Sequence, residues 1–295
     1  MSKAAITIIH ENDAWTAPIR EALERRGAVF EDWHLEQHTS VDLTSAPGGN
    51  VYYSRMSASA HTRGHGRSQE LCACLLEHLE ARGCRVLNGR RALAIELSKV
   101  AQAVALEAAG IDTPQTVAAT SRESLMAAAD KLGVPFVFKP NRGGTGVGVR
   151  RFDHLETFAE HLAELDDDAL MALSPDGVLL VQRYVRAAEP FITRVELIGR
   201  ELVYAVRVNT SAGFELCPAD ACEIDISQGP RFRVLDGFTH ELVPRFVELM
   251  QAHDIHVAAF EMVEDEHGKP FVYDVNTNTN YNQGAEKAAR VTSAY

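Results

Sequence analysis

Two apolar runs near the carboxyl end, Phe260-Glu261-Met262 and Phe271-Val272-Tyr273-Asp274-Val275-Asn276, flank the turn-rich Glu264-Asp265-Glu266-His267-Gly268-Lys269-Pro270. This pattern reads as a β-hairpin. With His267-Gly268 as a two-residue tip, Gly supplying the positive φ, the register sets Glu261 opposite Asp274 and Ala259 opposite Asn276. The two carboxylates and the amide then share one face. Phe260, Met262, Tyr273 and Val275 share the other and pack on a core. Facing acids half-sheltered by a sheet repel each other unless a cation lies between them. Hard oxygen donors select Mg²⁺ or Mn²⁺, and Mg²⁺ held by few carboxylates usually shares its shell with nucleotide phosphates. The alternative is a solvated hairpin with acids on its wet face.

A second motif bears on that choice. Val134-Pro135-Phe136-Val137-Phe138-Lys139-Pro140 leads into Asn141-Arg142-Gly143-Gly144-Thr145-Gly146-Val147-Gly148-Val149-Arg150, so a strand, a glycine-rich loop and a second β-branched run follow in order. A dinucleotide-binding loop opens into a helix, and a Walker A loop ends in Gly-Lys-Ser/Thr before one; neither context is present. The glycines let successive N–H groups approach a polyphosphate, and Lys139 on the preceding strand can pair with phosphate, as the strand lysine of kinases does. An edge-strand lysine beside a flexible turn is the plainer reading.

Taken together, a strand lysine, a glycine-rich loop and a distant acid–hairpin–Asp-x-Asn set resemble the ATP-grasp superfamily of carboxylate–amine ligases. The pattern is most similar to the group containing the glutamate ligase of ribosomal protein S6, and covers roughly residues 90 to 282. The resemblance implies an α+β ATP-grasp architecture within the α/β class: a small parallel N-terminal domain (1–90), a central lobe with the glycine-rich loop (91–185) and a C-terminal lobe with the metal-binding hairpin (186–295), the two lobes clasping ATP. Lys99, in Leu97-Ser98-Lys99-Val100, is similar to the lysine that opens a helix and reaches ATP phosphates. Lys139 and the loop from Arg142 through Gly143, Gly144, Thr145, Gly146, Val147 and Gly148 would bind phosphates. Gln182, Arg183, Tyr184 and Val185 resemble the linker that clasps adenine, although Arg183 stands where the family often has an acid.

Arg194 and Arg207 resemble the strand arginines near the transferred phosphate, and each is alternatively a surface strand residue. The family's aspartate two residues before the strand arginine falls on Ile192, which leaves Glu189 as the candidate for the ribose hydroxyls, or as a solvated acid beside Pro190. Glu261, Asp274 and Asn276 would hold two cations, Mg²⁺ or Mn²⁺, with Asp274 bridging.

The implied reaction is ATP- and Mg²⁺-dependent amide formation between a small-molecule carboxylate and the amine of an amino acid or peptide. A carboxylate is a poor electrophile; phosphoryl transfer makes an acyl phosphate whose leaving group the amine displaces. The rivals are a phosphotransferase that stops at a phosphorylated product and a regulatory protein that binds ATP without turnover. The full Glu261, Asp274 and Asn276 set argues against the last.

The remaining sequence sets the frame. With 46% hydrophobic residues in 295, the chain can bury a substantial core divided among two or three lobes. A formal charge of −12, from 29 basic and 41 acidic residues, disfavours nucleic acid and anionic membranes. The apolar run after Met1 is too short for a signal peptide and no stretch reaches membrane-spanning length, so a cytoplasmic enzyme is expected, with a homo-oligomer the ordinary state. Five cysteines fit a reducing compartment. Cys72 and Cys74 lie in a helical pattern, and Cys217 and Cys222 flank Pro-Ala-Asp-Ala; packing or loop thiols explain them better than zinc.

A βαβ rhythm runs from strand 4–9 through helix 16–26 to the strand opening at Val29. Strand Val51-Tyr52-Tyr53 then delivers a polar loop at the carboxyl end of a parallel sheet, where ligands bind. Arg55, Ser57, His61, Arg63 and His65 there could hold an anionic substrate, or face solvent. A helix over 68–82 and a strand over 84–88 close the domain at Asn88-Gly89-Arg90. Further helices are expected over 98–109, 121–132, 155–165 and 238–253, a loop over 209–236 and a terminal helix over 281–295. Asp166-Asp167-Asp168 caps a helix or exposes a loop.

Overall fold

The computed structural model describes residues 6–48, 51–144, 146–210 and 232–279, with the Phe232 side chain left out. Three sheets organise these residues. The first contains β1 (Ile6–His10), β2 (Phe30–His34), β3 (Val51–Ser54) and β4 (Arg85–Leu87), all parallel, in the order β2-β1-β3-β4. Helix α1 (Asp13–Arg25) supplies the first crossover; Asn12 caps it, its Oδ1 accepting from Trp15 N at 3.2 Å. Helix α2 (Gly66–Ala81) supplies the second and buries Leu75, Leu76 and Leu79 against Tyr52 and Val86. Cys72 lies in this core beside Ser54, and burial pushes its thiol up to about 12; Cys74 is exposed.

Between this sheet and the rest, the chain forms α3 (Arg90–Leu97) and α4 (Lys99–Ala108), broken at the extended Ser98, whose Oγ accepts from Ala101 N. The sequence reading lacked α3. Its Leu93 and Leu97 pack in the first core, while Ala92 and Ile95 pack in the core of the third sheet. Asn88, in the left-handed region at φ 51°, donates from Nδ2 to Val257 O and Thr277 O and accepts at Oδ1 from His256 N and Val257 N. This amide fills all its bonding capacity in stitching the two regions together.

The central sheet is antiparallel, in the order β5 (Thr116–Ala119), β8 (Leu179–Arg183), β6 (Phe136–Pro140), β7 (Arg150–Phe152). Helices α5 (Arg122–Leu132), α6 (Leu155–Ala163) and α7 (Asp167–Met171) pack on one side, with Phe136, Phe138, Phe152 and Phe158 filling the space. Asp166 caps α7 by accepting from Ala169 N. The strand–loop–strand expected around Lys139 is β6 and β7, paired Phe136 to Phe152; Val147 to Val149 remain in the loop.

The third sheet runs β11 (Phe232–Val234), β10 (Glu201–Asn209), β9 (Phe191–Ile198), β12 (Val257–Glu264), β13 (Pro270–Asn276), all antiparallel. One face packs on α8 (Val243–Ala252) and on α3 and α4, with Phe246 stacked on Phe260 at 4.2 Å between centroids. Thr145, the segment 211–231 with Cys217 and Cys222, and the expected terminal helix 281–295 lie outside the described residues. Among those residues, no helix is long and apolar enough to cross a membrane.

The hairpin has the predicted register for a reason the sequence reading missed. Asp265 N bonds Lys269 O at 3.0 Å, so the tip is the three-residue Glu266-His267-Gly268, with Gly268 at φ 77°. That loop shifts the pairing by one residue. A bulge at Tyr273 shifts it back, because Met262 faces Val272 while Glu261 faces Asp274 and Ala259 faces Asn276. Tyr273 therefore leaves the core side where strict alternation put it, and Val272 packs there instead.

Candidate active site

A cleft of about 410 Å³ lies between the central and third sheets, closed at one end by residues 57–59 of the first. Its third-sheet wall is built by register: Arg194 on β9 pairs with Glu261 on β12, which pairs with Asp274 on β13, so three charged side chains emerge side by side. Glu196, two residues along β9, shares that face. Arg194 donates from Nε to Glu196 and from Nη1 to Glu261, both at 2.6 Å, and from Nη2 to Thr279 Oγ1. Thr279 in turn donates to Glu196. Tyr273 donates to Glu261 Oε2 at 3.2 Å, a contact that exists because the bulge turns its ring into the cleft.

Lys99 Nζ pairs with Asp274 and lies 3.3 Å from Gln102 Oε1. On the opposite wall, Lys139 Nζ donates to Gln182 Oε1 at 3.0 Å, and Gln182 Nε2 donates to Thr116 Oγ1.

Burial and neighbours set the protonation states. Burial pushes the Glu261 carboxyl up and Asp274 adds to this, against the pull of Arg194. Burial would likewise raise Asp274, but the Lys99 ammonium against it, with Lys139 and Arg194 beyond, holds it below the carboxylate range. Lys139 is lowered to about 8, chiefly by burial and then by Lys99. Burial would lower Arg194, but Glu196 and Glu261 outweigh it and hold the guanidinium above its ordinary value. Glu96, raised by burial, accepts from Ala58 N, Thr277 N and Asn278 N and so ties residues 57–59 to the end of the hairpin.

The family description "Carbamoyl-phosphate synthase L chain, ATP binding domain" matches residues 98–191. The ATP-grasp ligase PsnB, solved with a minimal precursor, aligns over 99% of this chain and 96% of its own at a TM-score of 0.66 and 18% identity. A RimK-domain ATP-grasp protein from Sphaerobacter thermophilus aligns over 97% and 95% at 0.65 and 19% identity. The chain has the ATP-grasp fold. Curated relatives include D-alanine–D-alanine ligases of Nitrosomonas eutropha and Nitrosomonas europaea, 22% and 26% identical, each match covering 65% of this chain. The chain spans 60% of the length of these relatives.

Within the ATP-grasp cleft, the structure brings together Lys99, Lys139, Gly143, Gly144, Gly146, Val147, Gln182, Arg183, Tyr184, Val185, Arg194, Glu261, Asp274, Asn276 and Ser57. It leaves others outside. Arg207 pairs with Thr193, one position off Arg194, so it projects from the opposite face of β10 and stacks on Phe191 at 3.7 Å. Arg142 turns toward α2 and bonds Glu70 Oε1 at 2.5 Å. Glu189 is exposed and Gly148 packs beside Pro140; neither lines the cleft.

Four of the five polar-loop residues are engaged elsewhere. Arg55 is buried and donates to Thr279 O, and His61 Nδ1 lies 3.0 Å from Ala58 O. Arg63 and His65 both bind Glu11, at 2.6 and 2.7 Å, and Arg63 stacks on Trp15. For Arg63 and His65 the cause is Glu11, a buried carboxylate just after β1 that engages two groups expected to meet an anion.

Glu196, Thr279, Glu96 and Asn278 are not among the site residues expected from sequence, and strict alternation puts Tyr273 on the core face. The two-residue period from Arg194 would have found Glu196; the others depend on the bulge or on chain beyond the strands.

Proposed function

We propose that this chain is an ATP- and Mg²⁺-dependent ligase that joins a carboxylate to the amine of an amino acid or peptide through an acyl phosphate, releasing ADP and phosphate. The observation that carries the reading is Glu261 opposite Asp274 on one wall of a cleft whose other wall presents Lys139 and the glycine loop. The similar proteins support it: D-alanine–D-alanine ligases are among the curated relatives, and the ATP-grasp ligase PsnB has been solved with a precursor peptide and, separately, with Mg and ADP.

The residues fit a magnesium nucleotide. Glu261, Asp274 and Asn276 offer hard oxygen donors on one wall, and Asn278, also lining the cleft, has a buried Oδ1 with no hydrogen-bond partner among the described residues. A Cβ on Gly144 would come within 2.6 Å of Ser59 Cβ, so the loop backbone reaches the cleft only without a side chain there. Bound Mg–ATP supplies the phosphoryl group that turns a carboxylate oxygen into a leaving group.

The chain's own residues do the positioning. The loop amides and Lys139 bind phosphate oxygens. Lys99 and Asp274, held against each other, are placed to serve phosphate and cation respectively. Arg194, oriented by Glu196, Glu261 and Thr279, presents fixed positive charge to the oxyanion; loss of such a donor typically costs about 2.7–4 kcal/mol in barrier. The apolar stretch of Tyr184 and Val185 suits adenine, and Ser57 and Ser59 mark the acceptor end. Two cations bridged by Asp274, and a division at 90 and 185, complete the proposal; three separate sheets favour that division.

The test is ADP release with Mg²⁺ across amino acids and short peptides, alone and in pairs, with mass spectrometry of the products. Pair-dependent release with a product lighter by one water supports the ligase. AMP and pyrophosphate as products, or ADP formation indifferent to any amine, overturns it, the latter in favour of a phosphotransferase.

A further inference from the structure

Outside the cleft, the carboxyl edge of the first sheet collects His10 at the end of β1, His34 at the end of β2 and Asp13 in the first turn of α1. One ligand atom from each lies within 4.8 Å of the other two. His10 and His34 are register partners on adjacent parallel strands, and their rings meet edge-on at 4.9 Å. His10 is 1% exposed, yet neither ring nitrogen has a hydrogen-bond partner among the described residues. Two buried, unpartnered imidazole nitrogens in a folded chain call for a reason, since polar groups at that depth are otherwise satisfied.

The carboxylates around the imidazoles are arranged as outer and inner oxygens. Arg20 Nη1 binds Asp13 Oδ1 at 3.0 Å and Asp32 Oδ2 at 3.1 Å. Their second oxygens face the histidines: Asp32 Oδ1 is 3.6 Å from His10 Nε2 and has no hydrogen-bond partner among the described residues, and Asp13 Oδ2 is 3.8 Å from His34 Nε2. These separations are too long for direct hydrogen bonds. They are close to the roughly 3.3–3.6 Å between ligand atoms of a tetrahedral ion with bonds of about 2.0–2.2 Å. Arg20 then plays the part that outer partners play at metal sites, orienting each carboxylate.

We propose that His10, His34 and Asp13, with Asp32 beside His10, form a site for a divalent transition metal of the zinc type. Imidazole nitrogen combined with carboxylate oxygen suits zinc and its neighbours rather than Mg²⁺, which prefers oxygen alone. Coordination through His34 Nε2 puts the ring proton on Nδ1 and gives up the 3.3 Å contact from Glu36 N, a weak bond at that length. The ion would tie together β1, β2 and α1 immediately before Glu11, the residue that holds Arg63 and His65, and the His65 ring itself is 6.4 Å from that of His34. Its role is structural: it fixes the floor on which the polar loop is mounted.

Tag-free protein of residues 1–295, stripped with chelator, would be titrated with Zn²⁺ and separately with Co²⁺ in the absence of Mg²⁺ and nucleotide. The expected result is one ion per chain, a higher Tm, and the visible bands of four-coordinate cobalt. His34→Gln and Asp13→Asn, at positions that are not buried, should weaken Zn²⁺ binding by at least about tenfold, while Asp274→Asn leaves it unchanged. Absence of stoichiometric binding, or an affinity that follows Asp274 and ignores His34 and Asp13, overturns the proposal.

Discussion

The two walls of the cleft are made of different materials. The third-sheet wall presents Arg194, Glu196, Glu261 and Asp274, each bonded to another charged group of the same wall or to Lys99. The central wall presents Val137, Tyr184 and Val185 around the buried ammonium of Lys139, whose partner is a neutral amide, with the exposed Arg151 and Arg183 at its rim. One wall is a charge lattice that satisfies itself; the other is largely apolar at depth, with one buried charge bonded only to a neutral amide. The bonds within the lattice orient its members, whereas Lys139 stands to gain most from an incoming anion. Under the proposed function the difference separates orientation from affinity: the first wall positions, the second attracts.

The comparison is broken most severely at Arg194. Arg194→Ala leaves Glu196 and Glu261 buried without their cation, and stability should fall by about 3–5 kcal/mol in urea unfolding, with ATP turnover lost. Arg194→Lys should not restore it, because an ammonium cannot replace the forked contacts to two carboxylates. An unchanged unfolding midpoint in Arg194→Ala would mean that the wall is not a coupled unit. Asp274→Asn should preserve the fold and reduce ATP-dependent turnover by about 100-fold or more, since even outer partners of metal ligands are worth 10–100-fold. Retained turnover would remove Asp274 from the cation set.

The attracting wall is tested by pH. Lys139 titrates near 8 in the folded chain, against an ordinary 10.5. Nucleotide affinity should therefore fall as pH rises above about 8, by up to about tenfold per pH unit, and Lys139→Arg should flatten that dependence. The stability linkage has the opposite sense. Between about 8 and 10.5 the unfolded chain binds the proton that the folded chain releases, so Lys139's contribution to stability improves as pH rises through that window. Affinity that is flat to pH 10 would show that Lys139 does not meet phosphate. The smallest effect is expected at Arg207, on the reverse face of its strand: Arg207→Ala should change turnover by less than about twofold and cost roughly 0.5–1 kcal/mol of stacking on Phe191.

Features that arise from chain-local periodicity were legible in advance. The lysine before a glycine loop and the parallel first sheet follow from turn chemistry and βαβ rhythm, whereas the facing of Glu261 and Asp274, expected from a two-residue tip, holds because a three-residue tip and a bulge offset each other. What could not be read depends on distant partners. Arg63 and His65 look available for a substrate until Glu11, 52 and 54 residues away in sequence, is found between them. Arg194 and Arg207 look equivalent until the pairing of β9 with β10 assigns them opposite faces. Helix α3 escaped because its apolar residues serve two cores at once and so present no single stripe.

The hairpin couples a surface turn to catalytic geometry. Because the three-residue tip and the bulge at Tyr273 offset each other, loop length and site register act as a vernier: each is readable only against the other. Removing one residue from Glu266-His267-Gly268, ordinarily among the more tolerated changes in a protein, makes the bulge unnecessary. Asp274 would still face Glu261, but Tyr273 would swing to the core and Glu261 would lose its phenol. Variation in that exposed turn is therefore filtered by a side chain midway along the strand, and insertions there should occur only with a compensating change near Tyr273.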